Sequence, residues 1–220
     1  DEIKFNLSTA NVMQKMRVKK SSRYESLVQE MVDHANRIGR PKAIYTIAGI
    51  EKRNQTSLVL NGIKMESRIM AVNLENVHRV FPYLATSGRE LYDWKTSLDD
   101  MLENYYADEI GQMALRTAER FLLTHLKETY GLGKTAAMNP GSLDDWPITA
   151  QRELFQLLGG QASTIGVELR DSMLMIPNQT TSGIRFVSEE GFSSCELCPR
   201  DCCTHRRAPY NPSLLEEKYQ

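Results

Sequence analysis

The chain has 220 residues, 41% hydrophobic and 25% charged, enough for one large domain or two small ones around a sizeable core. Its 27 basic and 28 acidic residues leave a net charge of −1, which excludes the basic excess of a general nucleic-acid or membrane-surface binder. No apolar run approaches the roughly 18 residues of a membrane span. The start, Asp1-Glu2-Ile3-Lys4-Phe5, lacks the positive-then-apolar layout of a signal peptide, so a cytoplasmic protein with no nucleic-acid or membrane partner is expected. In that compartment the Asn-x-Ser/Thr triplets at Asn6, Asn54 and Asn178 carry no meaning.

In chain order, residues 22–38 suit a helix, with Leu27, Val28, Met31, Val32 and Ala35 at helical spacing, Ser21 or Ser22 as cap, and Gly39 with Pro41 as stop. A strand is expected over Ala43 to Ile50. Then Ser57–Leu60 and Ile63–Glu66 flank Asn61-Gly62, the dipeptide that best accepts the two positive φ angles of a type I′ hairpin turn. Residues 67–73 read as an extension of that pairing, Leu74, Val77 and Val80 as a short helix, and Phe81 to Ala85 as a short strand. The longest expected element is one helix from about Trp94 to Tyr130. Gly111 interrupts its apolar stripe at a cost of about 1 kcal/mol relative to Ala, a cost that close approach of another backbone would explain. Residues 131–147 read as an irregular loop and Ile148 to Leu158 as an amphipathic helix. Val167–Leu169 and Met173–Ile176 read as strands, 177–183 as a turn, Ile184–Val187 as a return strand, and Pro209 to Gln220 as a loosely tethered polar tail.

Common catalytic signatures are missing. Gly133-Lys134-Thr135 is not a phosphate loop, because Glu128 stands where its first glycine belongs and the segment follows a helix instead of a strand. No Gly-x-Ser-x-Gly elbow exists. The acid pairs Asp99-Asp100, Asp144-Asp145 and Glu189-Glu190 suit solvated faces or helix starts. His125 lies on the long apolar stripe as a core histidine, and His34 and His78 read as surface residues. No catalytic residue is assigned.

All four cysteines fall between Cys195 and Cys203, with His205 just beyond. Cys195-x2-Cys198 is a spacing at which two thiolates bind one metal from a tight turn, and Cys202, Cys203 and His205 offer further ligands. Zinc, an iron–sulfur cluster, and free or locally disulfide-linked thiols all remain open, with Cys195, Cys198, Cys202 and Cys203 as the candidate metal ligands.

Three blocks carry a family resemblance. They are Phe81-Pro82-Tyr83-Leu84-Ala85-Thr86-Ser87-Gly88 before the long helix, Asn139-Pro140-Gly141-Ser142 followed by Gln151-Arg152-Glu153-Leu154-Phe155, and Ser172–Pro177 with Ser182-Gly183-Ile184-Arg185-Phe186. On these the chain resembles the activation (reactivation) domain of cobalamin-dependent methionine synthase, as a stand-alone homologue. The resemblance implies an α+β fold: a curved single domain with a twisted antiparallel sheet and flanking helices, including one long central helix. Residues 1–190 would form it, and 191–220 a Cys-rich C-terminal segment and tail.

The resemblance also implies docking on a corrinoid (cobalamin-binding) protein or methyltransferase to assist its reductive reactivation. Lys134, Asn139, Pro140, Gly141, Ser142, Pro177, Ser182 and Gly183 would be the cofactor-binding residues. Ala137 stands where the family's S-adenosylmethionine loop has an arginine, and Ser142 where it has a tyrosine. Loss of the bidentate guanidinium removes a charged hydrogen bond of about 1.5–3 kcal/mol that Lys134 cannot reproduce, so the resemblance carries the fold and not S-adenosylmethionine binding. The rival readings are a non-catalytic interaction or scaffold module with a structural zinc site, and an S-adenosylmethionine-binding methyl-donor domain.

Overall fold

A computed structural model describes residues 3–20, 22–203 and 206–219; His205 and Ser21 lie outside them. The chain divides into two compact units. The first comprises Asp1–Ile44, Ala85–His125 and Ala162–Thr181, and the second Tyr45–Leu84, Leu126–Gln161 and Ser182–Gln220. The elements in order are α1 (Thr9–Met16), α2 (Glu25–Ile38), β1 (Lys42–Tyr45), β2 (Ala48–Arg53), β3 (Ser57–Leu60), β4 (Ile63–Glu66), α3 (Arg68–Asn73), β5 (Arg79–Thr86), α4 (Arg89–Thr96), α5 (Met101–Tyr130), β6 (Thr135–Met138), α6 (Gln151–Leu157), β7 (Glu168–Leu169), β8 (Met175–Ile176), β9 (Thr180–Val187) and α7 (Leu214–Tyr219). The fold is α+β, with an antiparallel sheet, the long helix α5 and flanking helices. Among the described residues no helix is long and apolar enough to cross a membrane.

The first unit is built on helices. Val12, Met13 and Met16 of α1 and Val28, Met31, Val32 and Ala35 of α2 recur at helical spacing. They form one core with Leu91 and with Tyr106, Ala107, Ile110 and Ala114 of α5. The sequence reading missed α1. It also ran α4 and α5 together. The break between them is made by local hydrogen bonds: Thr96 Oγ1 donates to Asp93 O at 2.9 Å and Ser97 Oγ to Trp94 O at 2.7 Å, closing α4. Asp100 Oδ1 accepts from Leu102 N at 2.8 Å and Glu103 N at 3.0 Å, capping α5. At Gly111 the close neighbour is a side chain, not a backbone, since an added Cβ would lie 3.2 Å from Gln179 Cδ. Gln179 Nε2 in turn donates to Asp108 Oδ1 at 2.6 Å. His34, expected on the surface, is half-buried with its ring 5.1 Å from that of Trp94.

The second unit holds most of the sheet, in which β4-β3-β2-β5-β9-β6 lie side by side. β2 pairs antiparallel with β3 and β5, β3 with β4, and β6 with β9. The hairpin forms as expected, with Asn61 at φ 45° and Gly62 at φ 79°. Asn61 also explains why the single expected strand over Ala43–Ile50 is two. Its amide donates to Ile47 O at 3.2 Å and accepts from Gly49 N at 3.0 Å, taking backbone groups that a continuous ladder would use. Residues 68–73 form the helix α3 behind its cap Ser67, not a strand. Ser67 Oγ accepts from Met70 N at 2.9 Å, and the Asp145 carboxylate accepts from Arg68 N at 3.0 Å and Ile69 N at 3.1 Å. The short helix expected over 74–80 is a turn and the start of β5, where Val80 pairs with Ala48.

The loop expected over 131–147 contains β6, paired from Thr135↔Val187 to Met138↔Ile184. The tail is not loosely held. Tyr219 of α7 is 4% exposed within a core that includes Trp146, Leu154 and Phe186, and its hydroxyl donates to Asn73 Oδ1 at 2.9 Å.

Candidate functional site

Three of the sequence-assigned residues meet where β6 and β9 lie together. Asn139 follows the end of β6, and its Nδ2 donates to Ser182 O at 2.7 Å and Tyr83 Oη at 3.1 Å. Gly183 is required there. A Cβ would stand 2.5 Å from Met138 O, 2.6 Å from Asn139 Nδ2 and 3.0 Å from the Tyr83 ring. Ser182 Oγ donates to Gln151 Oε1 at 3.3 Å. Tyr83, Gln151, Ser182 and Gly183 are buried, so each polar atom of this junction depends on its partner.

The turn Asn139–Ser142 leaves from this junction. Ser142 N donates to Asn139 O at 3.1 Å and Gly141 N to Trp146 O at 2.8 Å, with Pro140 buried, Gly141 exposed and Ser142 half-buried. Lys134 is exposed just before β6, where its carbonyl accepts from Ser188 N at 3.0 Å. Pro177 is buried after a cis peptide bond and belongs to the first unit. Asn139, Ser182 and Gly183 are therefore in direct contact and Pro140–Ser142 adjoin them, Lys134 is not part of the junction, and Pro177 belongs to the other unit.

The sequence reading assigned no role to Tyr83, Gln151 or Arg185. Arg185 is the cross-strand partner of Ala137, the position that lacks the expected arginine. Its guanidinium lies 5.7 Å from the Tyr83 ring centroid, and Nη1 donates to Thr135 Oγ1 at 3.3 Å. Its Nε is buried without a hydrogen-bond partner. A cation is thus carried on the strand next to the vacant position. Elsewhere on the sheet, the Tyr45 and Tyr130 hydroxyls are 3.0 Å apart. Burial, the hydrogen bond with Tyr130 and that group's charge push Tyr45 up to about 12.

The cysteine segment is folded around one guanidinium. Arg206 Nη1 donates to Cys195 O at 3.0 Å and Ala208 O at 3.3 Å, and Nη2 to Cys198 O at 3.2 Å and to Arg200 O. Cys195 lies in a 3-10 turn, Ser194–Leu197, and its Sγ accepts from Arg207 N at 3.3 Å. Burial raises the Cys195 thiol. The N–H groups of Arg207 and Ala208, the Ser193 hydroxyl and the Arg206 charge outweigh it, and the net shift is downward.

All four cysteines are free thiols, with Cys202 exposed and the others half-buried. Among the described residues no three His, Cys, Asp or Glu side chains gather as a metal site, so the expected ligand set for zinc or an iron–sulfur cluster is not assembled there. His205, the remaining candidate ligand, lies outside the described residues.

The class defined by these elements is an α+β protein whose antiparallel sheet is accompanied by a long helix and a buried polar junction. The same fold is found in the crystal structure of the MetH reactivation domain bound to AdoHcy, with a TM-score of 0.60 over 80% of this chain and 70% of that one, at 11% identity. No protein-family model and no curated protein matches the sequence.

Proposed function

We propose that the chain is an activation-domain-like component of a corrinoid-dependent methyl-transfer system, a stand-alone homologue that docks on a cobalamin protein and assists its reductive reactivation in the cytoplasm. The fold shared with the MetH reactivation domain over 80% of the chain carries this reading. It is supported by the convergence of separate sequence blocks: Tyr83, Asn139, Gln151, Ser182 and Gly183 come from different parts of the chain and meet at one junction. In this reading the junction holds the Asn139–Ser142 turn in a fixed form toward the partner's corrinoid, with Lys134 as a further contact. The corrinoid supplies the cobalt chemistry. This chain's residues hold the turn in position. Co-sedimentation of the pure protein with a cobalamin-loaded corrinoid protein tests the docking; a complex is expected, and its absence at high micromolar concentration contradicts it.

Arg185 favours a second reading, in which the chain also binds an AdoHcy-like ligand. In this reading the Arg185 guanidinium, carried on the strand paired with Ala137, takes the part of the missing fork toward the ligand's carboxylate. Calorimetry with AdoHcy is then expected to give saturable binding, and Arg185→Lys to weaken it about tenfold or more, the equivalent of a lost charged hydrogen bond. No heat of binding, or full affinity in Arg185→Lys, contradicts this reading.

A further inference from the structure

We propose that Cys195 and Cys198 form a redox-active dithiol that exchanges with small organic disulfides, Cys195 being the attacking thiol and Cys198 the resolving one. This stands on the cysteine segment alone and is independent of the corrinoid reading.

Geometry separates this pair from the other thiols. Cys198 N donates to Cys195 O at 3.3 Å, closing an i to i+3 turn. Such a turn holds its end Cα atoms within about 7 Å, and disulfides need a Cα separation of roughly 4.4–6.8 Å. The turn therefore brings the two Cα atoms to about the separation that a disulfide spans. The Arg206 clamp fixes the same turn from outside, since its guanidinium binds the carbonyls of both Cys195 and Cys198. The loop is anchored as well. Phe192 and Leu197 pack against the core of the second unit, as does Leu214, and Asn211 N donates to Glu196 O at 2.8 Å.

Attack also has a direction. An N–H of Arg207 points at Cys195 Sγ, and half-burial leaves that sulfur reachable. In the first step the Cys195 thiolate attacks one sulfur of R–S–S–R, forms a mixed disulfide and releases R–S⁻. In the second, Cys198 loses its proton to solvent and attacks Cys195 Sγ, forming the Cys195–Cys198 bond and releasing the second R–S⁻. The two thiolates released take up the two protons, so the dithiol is oxidised by two electrons and the small disulfide is reduced by two.

The test uses the full chain, reduced, desalted and exposed to oxidised glutathione, with free thiols counted and disulfides mapped by peptide mass spectrometry. The expected result is loss of two of the four thiols with the bond at Cys195–Cys198. Cys198→Ser is expected to accumulate a glutathione adduct at Cys195, and Cys195→Ser to slow thiol loss at least tenfold. Circular dichroism of each variant separates lost chemistry from lost folding. A bond mapped mainly to Cys202 or Cys203, equal reactivity of all four thiols, or stoichiometric zinc or iron that shields Cys195 in the purified protein would each overturn the proposal. None of these outcomes bears on docking to a corrinoid protein.

Discussion

Asn139 is the residue on which the buried junction turns. One amide nitrogen serves two acceptors from distant parts of the chain, Tyr83 Oη and Ser182 O. Asn139→Ala leaves both without this donor, and the unfolding free energy is expected to fall by about 1–3 kcal/mol in urea titration, with the slope unchanged. Tyr45 gives a pH signature. Its folded-state value of about 12 lies above the ordinary tyrosine value, so the fold favours the neutral phenol. Its stabilising contribution is complete below about pH 10 and is lost as pH rises from there through 12. Ultraviolet titration is expected to show late tyrosinate ionisation, to which Tyr106 and Tyr219, also raised by burial, contribute and which Tyr45→Phe reduces by one tyrosine's share. A wild-type curve in which every tyrosine ionises near 10 would contradict the assignment.

At the level of elements, the sequence disclosed what is set by neighbours in the chain. The hairpin at Asn61-Gly62 and the helix α2 are encoded by turn chemistry and apolar spacing; the hairpin forms where expected, and α2 ends at Ile38 before Gly39 as expected but starts at Glu25, after Tyr24, without a serine cap. The elements that were missed owe their form to distant partners. α3 reads locally as more strand, yet its first N–H groups are taken by Asp145, whose place in the fold no local pattern reveals. β6, Thr-Ala-Ala-Met, has little intrinsic strand preference and exists because β9 pairs with it. α7 is held by Tyr219 reaching Asn73, a partner 146 positions earlier. Asp145→Ala tests the long-range cap. It is expected to cost about 0.5–2 kcal/mol, read by chemical denaturation, whereas Asp144→Ala, on an exposed neighbour, should cost much less.

For the molecule as a whole, the long helix was legible from its apolar stripe, and the α+β class from the family resemblance, which the shared fold bears out. The site was legible in part. Asn139, Ser182 and Gly183 were named from their motifs and do meet, while Arg185 was overlooked because only strand pairing reveals it as the neighbour of Ala137. In the cysteine segment the Cys-x2-Cys spacing was visible, but the role of Arg206 in organising four carbonyls was not. The chain joins the fold of the MetH reactivation domain to a thiol loop packed onto the core of the second unit, and the proposed docking and the proposed dithiol exchange are each testable alone. The most direct measurement is the cobalt absorbance spectrum of a cobalamin protein titrated anaerobically with this chain in the presence of a strong reductant. A saturable change that Asn139→Ala weakens is expected; a spectrum that stays the same throughout the titration contradicts the corrinoid assignment.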